Sequence, residues 1–157
     1  MLSHVDEANR PTMVDVGDKD VTRRTAVARA VVLFPAEALP RGREELRTKK
    51  GPVFDTAIIA GVMAAKRTHE LIPFCHPIPL DNCKVEIQWG AAGEIVIECT
   101  AIATHKTGVE MEALTGATTA ALTIYDMCKA LTHGIRIESV ALVSKTGGKQ
   151  DYQAEQS

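Results

Sequence analysis

The sequence predicts an α+β fold in which helices pack on one face of a four-stranded antiparallel sheet. Residues 84–89 and 94–103 alternate apolar and polar side chains around a short turn, which is a strong hairpin signal. Residues 53–71 and 109–131 repeat small or apolar side chains at helical spacing. One strand-like stretch precedes these elements and another follows them. The order is therefore β-α-β-β-α-β, which is the ferredoxin-like pattern.

A single domain is predicted over residues 21–149, preceded by a polar arm. Residues 1–20 lack a sustained period, so we interpret them as a mobile arm that a ligand or partner could order. The first strand covers residues 22–34, where alanines alternate before an apolar run, and Pro35 stops it. The segment PAEALP is a short helical turn, and residues 41–51 form a charged loop or a short helix.

The first long helix begins beside Pro52, a residue type that suits the first turn of a helix, and extends to about Leu71. Its face of alanine and glycine would allow a neighbouring element to approach closely. Three prolines then exclude regular structure from residues 72–80. That stretch is predicted to be a rigid, extended loop.

The second long helix covers residues 109–131, and Gly134 ends it, as is common at helix C-termini. A final strand over residues 135–145 completes the sheet, and residues 150–157 are a polar tail. The helices cover only one face of this sheet, and the other face includes apolar positions. We therefore expect another subunit to cover that second face.

The composition of the 157 residues is that of an ordinary globular protein, with 45% hydrophobic and 24% charged residues. The net charge of −2 gives no support to nucleic-acid binding, which usually requires a basic face. The four cysteines lack Cys-x-x-Cys spacing and fit a reducing compartment. The N-terminus does not resemble a signal peptide, and no segment has the ~18 apolar residues of a membrane helix. We therefore expect a cytoplasmic protein that does not bind membranes.

Asp126 and Lys129 lie three residues apart on the second long helix, which places both on one helix face. One interpretation is a surface ion pair worth ~0.2–0.5 kcal/mol. The alternative is a catalytic pair. The surrounding residues are mostly Ala, Thr, Leu and Ile, and a partly buried carboxylate and ammonium would tune each other for proton transfer.

Cys75 and His76 lie in the proline-rich loop. They could simply be a buried thiol and an imidazole bonded to the backbone. Alternatively, the rigid loop presents backbone polar groups, and an imidazole that titrates near neutrality, to a heterocycle. No other His or Cys lies at metal-ligand spacing, so no metal site is predicted.

The start of the second long helix also has two interpretations. Thr107 could cap the helix while Glu110 and Glu112 complement its dipole. Equally, a helix start preceded by Lys106 and Gly108 can bind an anion. A carboxylate there can recognise the ring N–H and the amino group of a guanine-type base.

Basic residues stand at the ends of several elements, at 49–50, 66–67 and 145–149. Each set alone could be solvated charge, but together they would suit a polyphosphate if the fold gathers them. Residues 145–149 are not a Walker loop, because the spacing and the following helix are missing. An ordinary ATPase is therefore disfavoured.

Glu112 and Asp126 are 14 residues apart on one predicted helix, which corresponds to about 21 Å. A single small substrate does not easily span that distance within one chain. If both residues serve one reaction, two subunits must meet at the site. Otherwise one of the two residues is structural.

Several long segments together resemble the MoaC family of cyclic pyranopterin monophosphate synthases. The similarity runs in order along nearly the whole chain. Its segments are MVDVGDK (13–19), KKG (49–51), IAGVMAAKRT (59–68), LIPFCHPIPL (71–80), KTGVEMEALT (106–115), ALTIYDMCKA (121–130) and KTGGK (145–149).

The resemblance implies an enzyme of molybdenum cofactor biosynthesis, a phosphorus–oxygen lyase. Its substrate would be the GTP-derived 3′,8-cyclo-7,8-dihydroguanosine 5′-triphosphate, and its products cyclic pyranopterin monophosphate and pyrophosphate. The resemblance also implies a ferredoxin-like subunit in a homo-hexamer, a trimer of dimers, with active sites between subunits. No cofactor is expected, apart from magnesium that could accompany the triphosphate, since the sequence offers no protein cage for that ion.

The match of motifs also implies roles for individual residues. Asp126 would be the catalytic acid or base, assisted by Lys129, and Lys50 would be essential for the rearrangement. The implied substrate contacts are Phe74, Cys75, His76, Met111 and Glu112, with Glu110, Lys66 and Arg24 as further candidates. A non-catalytic pterin- or nucleotide-binding module is the main alternative, and a purely structural oligomer is a third.

Overall fold

A computed structural model describes residues 4–40 and 46–155 of the chain. The first part of the predicted charged loop, residues 41–45, lies outside the described residues. The same holds for the first three residues of the predicted arm and the last two of the predicted tail.

The fold is α+β, with one antiparallel sheet and two main helices. The sheet strands are β1 (Thr22–Leu33), β4 (Asn82–Trp89), β5 (Ile95–His105), β6 (Arg136–Thr146) and β7 (Tyr152–Gln153), in the spatial order β4-β5-β1-β6-β7. A separate ladder joins β2 (Arg47–Thr48) to β3 (Gly51–Pro52). The helices are α1 (Val53–Ala65), α2 (Thr68–Leu71) and α3 (Glu110–Cys128), and a 3-10 turn covers Ala36–Ala38. The predicted strands, the 3-10 turn and α3 are present, with ends within a few residues of the predicted ones.

The sheet has five strands in the described part of the chain, so the prediction of four was wrong. The fifth, β7, lies within the predicted polar tail, where Tyr152 pairs with Lys145 and Gln153 pairs with Ser144. The N–H of Ala154 extends this pairing with a 2.8 Å hydrogen bond to the Val143 carbonyl. A two-residue polar strand has no readable period, because backbone pairing with the sheet edge alone defines it. With that addition the arrangement stays compatible with the ferredoxin-like pattern.

The first helix ends earlier than predicted, at Ala65 rather than near Leu71. Arg67 has φ −118° and ψ 19°, which lies outside the helical region and separates α1 from α2. The buried hydroxyl of Thr68 donates to the Ala65 carbonyl at 2.9 Å and so satisfies one of the free carbonyls at the end of α1. Local side-chain bonding of this kind is not visible in an apolar repeat.

The core lies between the sheet and the two long helices. Alternate β5 side chains are fully buried, from Ile95 through Cys99 to Ala103, and β1 shows the same pattern from Ala26 to Val32. Helix α3 packs over β1, β5 and β6, and α1 packs over β4. The helices therefore cover one face of the sheet, while the opposite face carries groups such as the ion pair of Arg29 and Glu98.

Helices α1 and α3 cross at two glycines, as the small-residue face of α1 predicted. A Cβ atom on Gly61 would lie 2.9 Å from the Gly116 carbonyl oxygen, and one on Gly116 would lie 2.5 Å from Cys99 Sγ. The two backbones thus touch directly above β5. No helix among the described residues is long and apolar enough to cross a bilayer.

Candidate active site

The proline-rich loop and the start of α3 enclose a cavity of about 360 Å³, called here the ring cavity. Pro73 and its neighbours hold the loop extended, so that its side chains face the first turn of α3. The lining residues are His4, Ile72, Pro73, Phe74, Cys75, His76, Ile78, Thr107, Gly108, Glu110, Met111 and Glu112. Most of these side chains are apolar, which suits a flat heterocycle.

Glu112 is the buried acid of the ring cavity, with only 3% of its surface exposed. Burial raises the pKa of its carboxyl to about 7, and the charge of Glu110 adds to the rise. Burial, followed by the charge of Glu112, also raises the pKa of the Cys75 thiol. Glu112 is therefore a carboxyl that gains or loses its proton near neutrality, at the wall of a small apolar cavity.

His76 joins the ring cavity to the N-terminal arm. Its Nε2 lies 2.8 Å from the carbonyl oxygen of Val14. A carbonyl can only accept, so Nε2 carries the proton in this contact. Phe74 and Met111 remain 38% and 37% exposed, which leaves their apolar side chains free to contact a ligand.

A second cavity of about 250 Å³, called here the basic cavity, adjoins the first. The two share Thr107, Gly108 and Glu110 in their walls. The basic cavity is lined by Lys19, Arg24, Thr25, Thr107, Gly108, Val109, Glu110, Lys145, Thr146, Gly148 and Lys149. Its four cations are opposed by a single carboxylate, so the cavity favours an anion.

Glu110 stands at the boundary of the two cavities. Its Oε1 lies 3.1 Å from Nζ of Lys145, which orients the carboxylate toward the basic side. A Cβ atom on Gly108 would lie 2.1 Å from Glu110 Oε2, so this glycine makes room for the carboxylate. An anion entering the basic cavity would compete with Glu110 for Lys145.

Asp126, near the end of α3, is held between two lysines. Its Oδ1 lies 2.8 Å from Lys129 Nζ, and its Oδ2 lies 2.7 Å from Lys50 Nζ. The hydrogen bond from Lys129, followed by that from Lys50, lowers the pKa of Asp126 to about 2. In return, Asp126 raises the pKa of Lys129. At neutral pH this cluster therefore contains an ionised carboxylate and at least one firmly protonated ammonium.

Lys50 reaches Asp126 from the turn between β2 and β3. Gly51 follows it with φ +114°, a conformation that side chains other than glycine rarely adopt. This tight turn directs Lys50 over the end of α3, where its Nζ also donates to the Asp126 main-chain carbonyl at 3.2 Å. The spacing on α3 predicted the partnership of Asp126 with Lys129, but the contact with Lys50 has no sequence pattern.

The candidate residues fall into three places. Phe74, Cys75, His76, Glu110, Met111 and Glu112 line the ring cavity, while Arg24 joins Glu110 in the basic cavity. Asp126 lies about 21 Å from Glu112 along α3, and Lys50 and Lys129 contact it there. Within the described residues, Lys66 lines neither cavity. It follows the end of α1, where its charge lowers the pKa of Cys83 in addition to the larger effect of Cys99.

Of the cavity residues that were not among the predicted site residues, two come from the N-terminal arm. Lys19 lines the basic cavity and His4 lines the ring cavity. Lys19 ends the motif MVDVGDK, so the resemblance contained a signal for it. His4 lies in a polar stretch without any motif, and only the path of the arm brings it to the cavity.

These clusters lie almost entirely within one family match. Residues 13–148 match the MoaC family. The chain belongs to the MoaC family. The match includes the ring cavity from Ile72 onward, most of the basic cavity and the whole Asp126 cluster.

Individual MoaC relatives are similar over almost the whole chain. A cyclic pyranopterin monophosphate synthase of Xanthomonas campestris is 58% identical over 151 residues, which cover 96% of this chain and 92% of the relative. One of Brevibacillus brevis is 50% identical over 148 residues, covering 94% and 92% respectively. A molybdenum cofactor biosynthesis bifunctional protein of Synechocystis is 47% identical over 156 residues, but these make up only 45% of that protein.

Proposed function

We propose that this chain is a cyclic pyranopterin monophosphate synthase of molybdenum cofactor biosynthesis, a phosphorus–oxygen lyase. It converts 3′,8-cyclo-7,8-dihydroguanosine 5′-triphosphate to cyclic pyranopterin monophosphate and releases pyrophosphate. Near full-length relatives at 50–58% identity bear this name. The structural observation that carries the proposal is the pair of adjoining cavities, one apolar with a buried acid and one basic. Such a pair suits a molecule that is a guanine-derived ring at one end and a triphosphate at the other.

The ring cavity binds the guanine-derived end. As a carboxylate, Glu112 accepts hydrogen bonds from a ring N–H and an exocyclic amino group, which form the donor edge of a guanine-type base. Burial makes these bonds strong, because water does not compete for the carboxylate. Phe74 and Met111 cover the ring with apolar surface, and the Cys75-His76 backbone is held rigid by its prolines.

The basic cavity binds the triphosphate. The cavity is lined by Arg24, Lys19, Lys145 and Lys149. Their positive charges stabilise the negative charge that develops when a ribose-derived hydroxyl attacks the inner phosphorus and pyrophosphate leaves. Glu110 is displaced from Lys145 when the phosphates enter. Magnesium bound to the triphosphate would lie beside Glu110, the carboxylate in the cavity wall.

The Asp126 cluster moves protons during the rearrangement. The five-membered ring must open and its carbons must close onto nitrogens, and each of these steps transfers a proton. The low pKa of Asp126 makes it an ionised base and an electrostatic anchor, while the ammonium groups of Lys50 and Lys129 are the proton donors. Asp126 thus acts together with both lysines and not as an isolated acid.

The reaction needs both ends of α3, which supports a site shared between subunits. Glu112 and Asp126 are about 21 Å apart on one helix, more than one substrate spans. Ile59, Met63 and Leu122 expose apolar surface on the helical layer, at 61%, 46% and 57% exposure. We therefore assign the subunit to the ferredoxin-like class and to a homo-hexamer, a trimer of dimers. In each dimer, the Asp126 cluster of one subunit faces the cavities of the other.

All four cysteines are free, including Cys83 and Cys99, whose sulfur atoms lie 3.8 Å apart. Free thiols at that separation support a reducing compartment, and we place the protein in the cytoplasm. Its substrate is a reduced nucleotide derivative, and neither a nucleic acid nor a membrane is a partner.

Incubation with the cyclised intermediate tests the proposal directly. Pyrophosphate and cyclic pyranopterin monophosphate should appear in equal amounts, and GTP should yield neither product. A non-catalytic pterin- or nucleotide-binding module would bind the intermediate without releasing pyrophosphate. A structural oligomer would do neither, and either result would refute the enzymatic assignment.

A further inference from the structure

Residues 13–20 of the arm form a short segment, called here the arm turn, which two distant side chains hold against the site. His76 Nε2 donates to the Val14 carbonyl at 2.8 Å. Lys106 Nζ donates to the Gly17 carbonyl at 2.5 Å. These contacts join the arm turn to both sides of the ring cavity, the proline-rich loop and the start of α3.

Two local hydrogen bonds fold the arm turn tightly between residues 15 and 19. The Gly17 N–H donates to Asp15 Oδ1 at 2.8 Å, and the Lys19 N–H donates to the Val16 carbonyl at 3.1 Å. The turn closes at Lys19, whose side chain lines the basic cavity. The Gly17 carbonyl is thus the point at which a contact from outside can set the position of Lys19.

Lys106 makes this contact with the Gly17 carbonyl and does not face either cavity. In the described structure it lines neither the ring cavity nor the basic cavity. Its own backbone is held by Arg24, which donates to the carbonyls of His105 at 3.3 Å and Lys106 at 3.1 Å. Arg24, in the wall of the basic cavity, therefore fixes the backbone of Lys106. The Lys106 side chain in turn holds the arm turn, which carries Lys19, a second residue of that wall.

We propose that Lys106 is a positioning residue that holds the arm turn through the Gly17 carbonyl and so presents Lys19 to the phosphates in the basic cavity. The inference rests on the proposed function, because it assigns the phosphate-bearing end of that substrate to Lys19 and Arg24. Without the ammonium of Lys106, the Gly17 carbonyl bonds to water and the turn loses one of its two side-chain anchors. Lys19 then spends less time at the cavity, which weakens binding and leaves the chemistry at Asp126 unchanged.

Steady-state kinetics of pyrophosphate release separates these effects. Lys106→Met keeps the length of the side chain and removes the charge, and it should raise KM about tenfold, as expected for one lost hydrogen bond to a charged group. kcat should stay within about twofold, because the interaction is not specific to the transition state. Lys106→Arg retains a donor and should restore most of the affinity. The matched control is Lys84→Met, which removes a lysine paired with Glu86 on the distant strand β4 and should change neither constant.

A double-mutant cycle tests the route through Lys19. If Lys106 acts by placing Lys19, then Lys19→Met and the double variant Lys19→Met/Lys106→Met should show nearly the same KM. Hydrogen exchange should speed up in the arm turn of Lys106→Met and not in the Lys84→Met control. Additive effects on KM, an unchanged KM in Lys106→Met, or a fall in kcat at constant KM would each overturn the positioning role.

Binding of inorganic triphosphate, measured by calorimetry on the full oligomer, keeps this test separate from the proposed function. If the wild-type protein releases no pyrophosphate from the cyclised intermediate, the enzymatic assignment fails. Weaker triphosphate binding by Lys106→Met than by Lys84→Met would still support the positioning role. Equal triphosphate binding by the two variants would refute it, whatever the enzyme assay shows.

Discussion

Lys50 Nζ lies 2.7 Å from Asp126 Oδ2, although 76 residues separate the two in the chain. The turn between β2 and β3 brings the lysine to the end of α3, where Lys129 already contacts the same carboxylate. Two ammonium groups keep this carboxylate ionised, and in the proposed mechanism the carboxylate accepts protons while the ammonium groups donate them. Replacing the members of the Asp126 cluster one at a time should therefore affect substrate binding and turnover differently.

Asp126→Asn should abolish turnover while leaving the fold intact. The amide keeps the shape of the side chain but cannot accept a proton or hold two ammonium groups, and we expect a loss of about 10²–10⁴-fold in kcat. Pyrophosphate release and the circular dichroism spectrum measure the two parts of the prediction. Glu86→Gln, which breaks a surface pair with Lys84, is the control and should remain fully active. Near wild-type activity of Asp126→Asn would exclude a role in proton transfer.

Lys50→Ala should bind the substrate but block product formation in a single turnover. The Lys50 ammonium contacts Asp126 and lines neither cavity of its own chain, so its loss should affect the chemistry more than the binding. Rapid-quench product analysis and equilibrium binding separate the two effects. Lys49→Ala, one residue earlier in the same turn, serves as the control. Product formation by Lys50→Ala at the wild-type rate would remove Lys50 from the mechanism.

The pH dependence of kcat/KM should show an acidic limb with an apparent pKa near 7 from Glu112. The pKa of this carboxyl is raised to about 7, so its proton is bound below that pH, and the protonated acid cannot accept both hydrogen bonds from the ring. Activity should therefore fall as the pH drops through this value. Glu112→Gln should be less active and should lack the limb. An unchanged limb in that variant would assign it to another group.

The same raised pKa predicts how stability depends on pH. Because folding raises the pKa of Glu112 above its ordinary value of about 4.3, the contribution of this group to stability is fully present below that value and is lost as the pH rises through about 7. Denaturant titrations of wild type and Glu112→Gln should converge toward low pH. The variant should lose less stability than the wild type between about pH 5 and pH 8. Parallel curves of stability against pH for the two proteins would contradict the raised pKa of Glu112.

Two inactive variants should restore activity together if the site is shared between subunits. Glu112→Ala lacks the ring contact and Asp126→Asn lacks the proton cluster, about 21 Å away on the same helix. In a mixed isologous dimer, one of the two sites receives both wild-type residues, so random pairing restores about a quarter of the sites. Co-expression with two affinity tags, followed by the pyrophosphate assay, measures the recovery. No recovery in mixed oligomers confirmed by mass would show that each site lies within one chain.

Gly116→Ala should destabilise the fold by about 1–3 kcal/mol, because its Cβ would lie 2.5 Å from the buried Cys99 sulfur and 3.2 Å from the Gly61 carbonyl oxygen. The two helices must then separate above β5. Thr118→Ala, on an exposed position of the same helix, is the control and should change stability little. Thermal unfolding with both variants provides the measurement. A melting temperature of Gly116→Ala equal to that of the wild type would mean that the crossing relaxes without cost.

The sequence by itself determined the features that depend on neighbouring residues. The alternation from Ile95 to Ala103 reflects the two faces of a strand, and the prolines around Cys75 exclude a helix whatever surrounds them. The spacing of Asp126 and Lys129 places both on one turn of α3. Local geometry is sufficient for each of these, and the structure contains all three.

Only the tertiary structure decided which distant residues meet. Lys50 reaches Asp126, and Lys106 reaches Gly17, across 76 and 89 residues of chain. Strand β7 exists because the edge of β6 offers backbone partners to Tyr152 and Gln153, and not because of their side chains. The raised pKa of Glu112 follows from its burial, which depends on every element packed around the start of α3. Contacts and desolvation of this kind arise from the packing of the whole chain, and no local period in the sequence records them.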